Sequence, residues 1–228
     1  MRKSFLFILS LLTMFSACKS TAVPAAESVG LSYLALGDSY TIGQSVAPSE
    51  TYPQQLADQL NKGGIHLGKP RIIAQTGWTT ADLQQAMDRA AIDQQQFELV
   101  SLLIGVNNEF QGKSLAAFET EFMTLLKRAI RLAHNDPKKV FVLSIPDYGF
   151  TPFGREQQSY VSPRIDAFNQ TAEKVTHLLG VAWFDITPGS RKGLENPALV
   201  ARDGLHPSGV MYGQWVTQIL PELKRQLQ

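Results

Sequence analysis

Short apolar runs alternate along this chain with longer stretches in which apolar residues recur at helical spacing. The runs at 32–36, 71–75, 99–104, 140–145 and 181–185 read as strands buried on both faces. Between them, 53–61 carries Leu56 and Leu60 at i, i+4 and stops at Gly63-Gly64, while 80–92 places Leu83, Met87 and Ala90 on one side. The segment 114–134 sets Leu115, Phe118, Phe122, Leu125, Ala129 and Leu132 on one stripe, and Pro137 prevents its continuation. In 162–179, Ser162 is the expected cap, Pro163 the first helical residue and Gly180 the terminator. The last helix is predicted over 208–227, with a kink or an early end at Pro221. Strict β-α alternation implies a parallel sheet covered on both faces, reached by right-handed crossovers. The prediction is one three-layer α/β domain over residues 30–228.

The beginning of the chain breaks this pattern. Arg2 and Lys3 precede a largely apolar run from Phe5 to Phe15, and Ser16-Ala17 supplies small residues of the kind a signal peptidase cleaves after. The run is too short to cross a bilayer, which needs roughly 20 apolar residues. Residues 1–17 therefore read as a signal peptide. The single cysteine, Cys18, follows directly and resembles the acylated first residue of a bacterial lipoprotein, with Phe15 where an aliphatic residue is usual. Residues 18–29 then form a small, polar tether. The expected location is the bacterial cell envelope, with the membrane as a partner through an N-terminal lipid on Cys18.

Composition narrows the functional classes. With 228 residues, 44% hydrophobic and 18% charged, the chain can bury a full core. A formal net charge of +1 and the lack of any clustered basic run argue against nucleic acid as a partner. One cysteine excludes an intramolecular disulfide. His66, His134 and His177 are scattered singly, so no metal and no cofactor are expected.

In open parallel sheets ligands bind beyond the carboxyl ends of the strands. The residues following the five strands, and those before the last helix, can therefore be read together. They include Gly37-Asp38-Ser39-Tyr40, Thr76-Gly77-Trp78-Thr79, Gly105-Val106-Asn107-Asn108, and Asp203-Gly204-Leu205-His206-Pro207. These are the parts acyl transfer requires. A serine hydroxyl needs a base, and an imidazole titrates near neutrality. A carboxylate three residues earlier can hold that imidazole in one tautomer. A backbone N–H and an Asn amide can serve the oxyanion. The nearby Gly43-Gln44-Ser45-Val46-Ala47 lacks the last glycine of G-x-S-x-G and follows no strand, so it reads as a loop.

In these blocks the chain resembles the SGNH (GDSL-like) hydrolases. GDSY at 37–40 looks like their opening block, Gly77 sits where their second-block glycine belongs, GVNN at 105–108 is similar to their third, and DGLHPS at 203–208 to their last. The likeness spans about residues 33–215. It implies a five-stranded, flavodoxin-like parallel sheet, with Ser39 as nucleophile, His206 as base and Asp203 as its orienter. The Ser39 and Gly77 amides and the Asn107 side chain would be the oxyanion donors. Asn108 stands where the family's third block has Asp, a change that bears on bracing of the loop.

The resulting expectation is a serine esterase acting on short acyl or acetylated-carbohydrate esters. Lipolytic and thioesterase activity, acyl transfer by the same triad, and a non-catalytic envelope binding protein are the alternatives. Trp78, beside Gly77, is a candidate pocket wall. The segment 147–160 is longer than most connections, and its Phe150 and Phe153 are candidates for holding the substrate.

Overall fold

The computed structural model describes residues 30–227; residues 1–29, with the expected signal peptide, Cys18 and the tether, lie outside them. Five parallel strands form one sheet: β1 (Tyr33–Gly37), β2 (Arg71–Ala74), β3 (Leu99–Leu103), β4 (Val140–Leu143) and β5 (Ala182–Phe184). Their spatial order is β2-β1-β3-β4-β5. Five long helices cover the two sides: α2 (Tyr52–Lys62), α3 (Thr80–Arg89), α5 (Leu115–Leu132), α6 (Gln158–Leu178) and α8 (Gly209–Leu227). Three short ones, α1 (Ser39–Ile42), α4 (Val106–Phe110) and α7 (Thr187–Ser190), follow β1, β3 and β5. Helix α2 packs on α8, and α5 packs on α3 and α6. This is the three-layer α/β arrangement expected from the alternation.

The central strands β1, β3 and β4 are buried along their whole length. The outer two are not. Strand β2 leaves Arg71 and Ile72 exposed, and β5 is only half-buried, so uniform burial of all five strands does not hold. An edge strand has a neighbour on one side only, and its apolar run is correspondingly short.

Two helices depart from the expected bounds. Helix α6 begins at Gln158, so Pro163 lies in its second turn and Ser162 is not its cap. The Ser162 hydroxyl is instead buried without a partner. Val161, Ile165 and Phe168 are buried against the core, and that burial outweighs the one backbone bond Pro163 cannot make. Helix α8 likewise runs through Pro221 to Leu227, because Leu223 beyond the proline is fully buried.

The strand order positions the site. From β1 the chain steps outward to β2, then crosses back to β3 on the other side of β1. The carboxyl ends of β1 and β3 are level, with Gly37 opposite Leu103. This is the reversal point at which open α/β sheets bind their ligands, and Ser39 and Asn107 emerge there.

Candidate active site

The turn after β1 has room only for glycine at position 37. A Cβ on Gly37 would run into the Thr41 hydroxyl and the Leu103 carbonyl. Asp38 caps α1, its Oδ1 accepting the Tyr40 N–H at 3.0 Å. Its other oxygen, Oδ2, is buried without a partner. Burial pushes the Asp38 carboxyl up to about 7, against the pull of the Tyr40 and Asp38 backbone N–H groups. Ser39 is the first residue of α1 and is 5% exposed. Its side chain lines a cavity of about 210 Å³.

His206 and Asp203 reach the same cavity from a loop closed on itself. The Ala201 N–H donates to the His206 carbonyl at 2.7 Å, and the Ser208 N–H to the Leu199 carbonyl at 2.9 Å. Gly204 makes the intervening turn at φ +74°. Asp203 Oδ2 lies 2.6 Å from His206 Nδ1, while its Oδ1 accepts the N–H groups of Leu205 and His206, both at 3.0 Å. The Ser45 hydroxyl donates to Oδ2 at 2.6 Å. Partial burial acts to raise the Asp203 pKa, but the Ser45, Leu205 and His206 hydrogen bonds outweigh it and hold the carboxyl well below its usual range. The Tyr40 ring meets the imidazole edge-on, with centroids 5.7 Å apart. Ser39 and His206 both line the cavity, and among the described residues no direct hydrogen bond joins them. Such bonds commonly tighten only when substrate is present.

Gly77 and Asn107 complete the polar side of the cavity. Gly77 has φ +83°, a conformation glycine adopts without strain. The Asn107 amide donates one hydrogen to the Trp78 carbonyl at 2.9 Å, which leaves the other for a ligand. Asn108 is buried and braces the loop from both ends of its amide. Its oxygen accepts the Thr80 N–H at 3.0 Å, and its nitrogen donates to the Thr80 hydroxyl at 2.6 Å. The bracing that an Asp would supply is therefore made by Asn here. Val106, Phe110, Tyr148, Phe153 and Leu205 form the apolar side.

Ser39, Gly77, Asn107, Phe153 and His206 thus line one cavity, with Asp203 behind His206. Trp78 and Phe150 are not among its lining residues. Trp78 packs against the hydrophobic core and offers only its carbonyl, to Asn107. The Phe150 ring faces the Arg191 guanidinium, 5.8 Å from the ring centroid. Backbone direction explains both. Trp78 leads into the Thr79 cap of α3, and Phe150 closes a 3-10 turn that points toward the α7 side. Ser45, Gln44, Thr76 and Phe110 belong to the site without having been singled out. The serine signal was within Gly43–Ala47, in a segment that reads as a loop.

Among the described residues no group of three or more His, Cys, Asp or Glu side chains is placed to hold a metal, and no helix is long and apolar enough to cross a membrane.

Similarity to known proteins agrees with this geometry. No curated protein matches the chain. Among solved structures it is similar to TesA, at TM-score 0.68 and 20% identity over 86% of this chain and 99% of that one. The lipase/acylhydrolase from Enterococcus faecalis matches at TM-score 0.67 and 19% identity, covering 86% and 96%. Axe2, an acetylxylan esterase from Geobacillus stearothermophilus, matches at 0.63 and 18%, covering 87% and 94%. At these identities the likeness is one of fold. The model of the GDSL-like lipase/acylhydrolase family matches residues 35–213, most of the chain. With that match spanning all four blocks that meet at the cavity, the chain belongs to the GDSL-like lipase/acylhydrolase family and is a hydrolase.

Proposed function

We propose that the chain hydrolyses carboxylic esters of short acyl groups through an acyl-Ser39 intermediate. The observation that carries this reading is the Asp203–His206 pair, 2.6 Å apart and charged on the carboxylate side, sharing one cavity with Ser39. With Asp203 on Nδ1, His206 presents Nε2 to the cavity and takes the Ser39 proton as Oγ attacks the ester carbonyl. The imidazolium that forms is balanced by a carboxylate held ionised by four donors. The negative oxygen of the tetrahedral intermediate is met by the Ser39 and Gly77 N–H groups and the free Asn107 amide hydrogen. His206 then gives its proton to the departing alcohol. Water, activated by the same imidazole, attacks the acyl-Ser39 carbonyl and restores the enzyme.

The cavity of about 210 Å³ has room for a short acyl group beside Ser39. Export through residues 1–17 and anchoring through Cys18 belong to the same reading and would put the site at the cell envelope.

An alkyl phosphonate ester tests the mechanism directly. Intact-mass and peptide analysis should find one adduct, on the peptide bearing Ser39, and far slower labelling in His206→Ala. Labelling at another serine, or equal rates in both proteins, would contradict the assignment.

A further inference from the structure

A second cavity of about 310 Å³ adjoins the first, and the two share Phe110, Tyr148 and Phe153. Its far wall is Gln157 from the 3-10 turn before α6, with Tyr160 and Arg164 from α6 itself. The large hydrophobic side chains left exposed among the described residues include three aromatics: Phe110 at 61%, Phe153 at 55% and Tyr160 at 63%. All three border this one cavity. Scattered exposed rings need no explanation, but a set gathered around one concavity marks a binding surface.

The polar groups say what kind of ligand fits. The Arg164 guanidinium donates from Nε to Glu109 Oε1 at 2.6 Å and from Nη2 to the Glu109 carbonyl at 3.1 Å. The Tyr148 hydroxyl donates to Glu109 Oε2 at 2.9 Å. The cation in the cavity is therefore already neutralised by a buried carboxylate, and that carboxylate's oxygens are occupied. A phosphate or carboxylate ligand would seek an unpaired cation, and a quaternary amine a bare anion or an empty aromatic cage. A long acyl chain would have to cover the part-exposed Arg164 guanidinium and strip the water from its Nη1 without replacing the hydrogen bond. What remains is a neutral ring with apolar C–H faces and a hydroxyl-bearing edge. Its faces would stack on the open sides of Tyr160, Phe110 and Phe153. Its hydroxyls would meet Arg164 Nη1, which makes no protein hydrogen bond among the described residues, and the Gln157 amide.

We infer that this cavity holds a glycosyl unit, so that the alcohol released from the ester is a sugar hydroxyl. This rests on the ester-hydrolase reading. It assigns the first cavity to the acyl group and the second to the leaving alcohol, with the ridge of Phe110, Tyr148 and Phe153 between them. Tyr160 is the residue to test, because it lines the second cavity and not the first. Its ring also carries the Arg164 guanidinium on one side, 5.2 Å from the centroid.

Two readouts separate this inference from the reading beneath it. The first is the ratio of kcat/KM for a monoacetylated methyl pyranoside to that for 4-nitrophenyl acetate. The ratio should fall about tenfold in Tyr160→Ala, as expected for one lost stacking face, and be kept in Tyr160→Phe. The second needs no turnover: saturation-transfer NMR on Ser39→Ala with the same pyranoside, and separately with decanoate. Transfer to the sugar C–H protons, weakened when Tyr160→Ala is added, is the expected result. An unchanged ratio in Tyr160→Ala overturns the inference, as does transfer to decanoate with none to the pyranoside. If no ester is cleaved yet the sugar still binds through Tyr160, the cavity's ligand stands and the ester-hydrolase reading falls.

Discussion

On one side of the cavity, residues 37–43 carry Ser39 on a turn made by backbone, with Gly37 to Thr41 buried against the ends of β1 and β3. On the other, residues 199–208 carry His206 on a loop that reaches the surface and is closed by backbone bonds, with the Asp203 and Ser208 side chains adding further hydrogen bonds. Each region contains one aspartate, and the two behave oppositely. Asp38 accepts the Tyr40 N–H on Oδ1 and has no partner on Oδ2, and burial pushes it up to about 7. Asp203 is less buried and takes four donors, and it stays well below the usual carboxylate range. Burial alone neutralises a carboxylate; donors keep it charged. The proposed role of Asp203, balancing an imidazolium, calls for the second environment. A group that only caps a short helix can tolerate the first.

The comparison can be broken from either side. On the proposed mechanism His206→Ala should cut kcat about 10⁵- to 10⁶-fold, measured on an aryl acetate, since the members of such a triad act as a unit. If Asn107 serves the oxyanion as proposed, Asn107→Ala should cost about 10²- to 10³-fold in kcat with a smaller change in KM. A rise in KM with kcat kept would instead make Asn107 a ground-state contact.

The two aspartates should leave opposite marks on stability. For Asp38 the folded carboxyl holds a proton that the unfolded one loses above about 4. Stability therefore falls as pH rises from about 4 to about 7 and is level above that. Asp38→Asn should remove this slope, on the order of 3 kcal/mol, in urea unfolding at pH 4.5 and pH 8. Parallel changes in the two proteins would show that Asp38 does not carry it. For Asp203 the folded carboxyl is depressed, so its contribution is present above about 4 and is lost as pH falls below that. Ser45→Ala removes one of its donors. It should cost about 1 kcal/mol at pH 7, and the gap should narrow as the solution is acidified below the ordinary carboxylate range. A constant gap would assign the loss to backbone strain at Ser45, whose φ is +70°.

The same contrast explains what could be read from the amino-acid pattern. Gly37-Asp38-Ser39 is contiguous and follows a buried strand, so its place at the sheet edge is legible in the amino-acid sequence. So is the Asp203–His206 pair, whose partners are three residues apart. Ser45 is not: it meets Asp203 across 158 residues, and its positive φ is unusual for serine. The five strands were legible as apolar runs because little else in an α/β chain makes them. The helices α1 and α4 were not, since four or five residues span little more than one turn and show no period. The start of α6 was misplaced because Ser162-Pro163 is a good helix opening locally, while Val161 and Ile165 bury further along the same face. Trp78 and Phe150 show a further limit. Neighbourhood in sequence to Gly77 or Tyr148 does not say where a side chain points.

The acyl-Ser39 route is tested most simply by the initial rate of 4-nitrophenyl acetate hydrolysis by the protein and by Ser39→Ala, near pH 8. Rapid turnover should disappear in the variant while the melting temperature is kept. Turnover that survives in a folded Ser39→Ala protein would contradict that route.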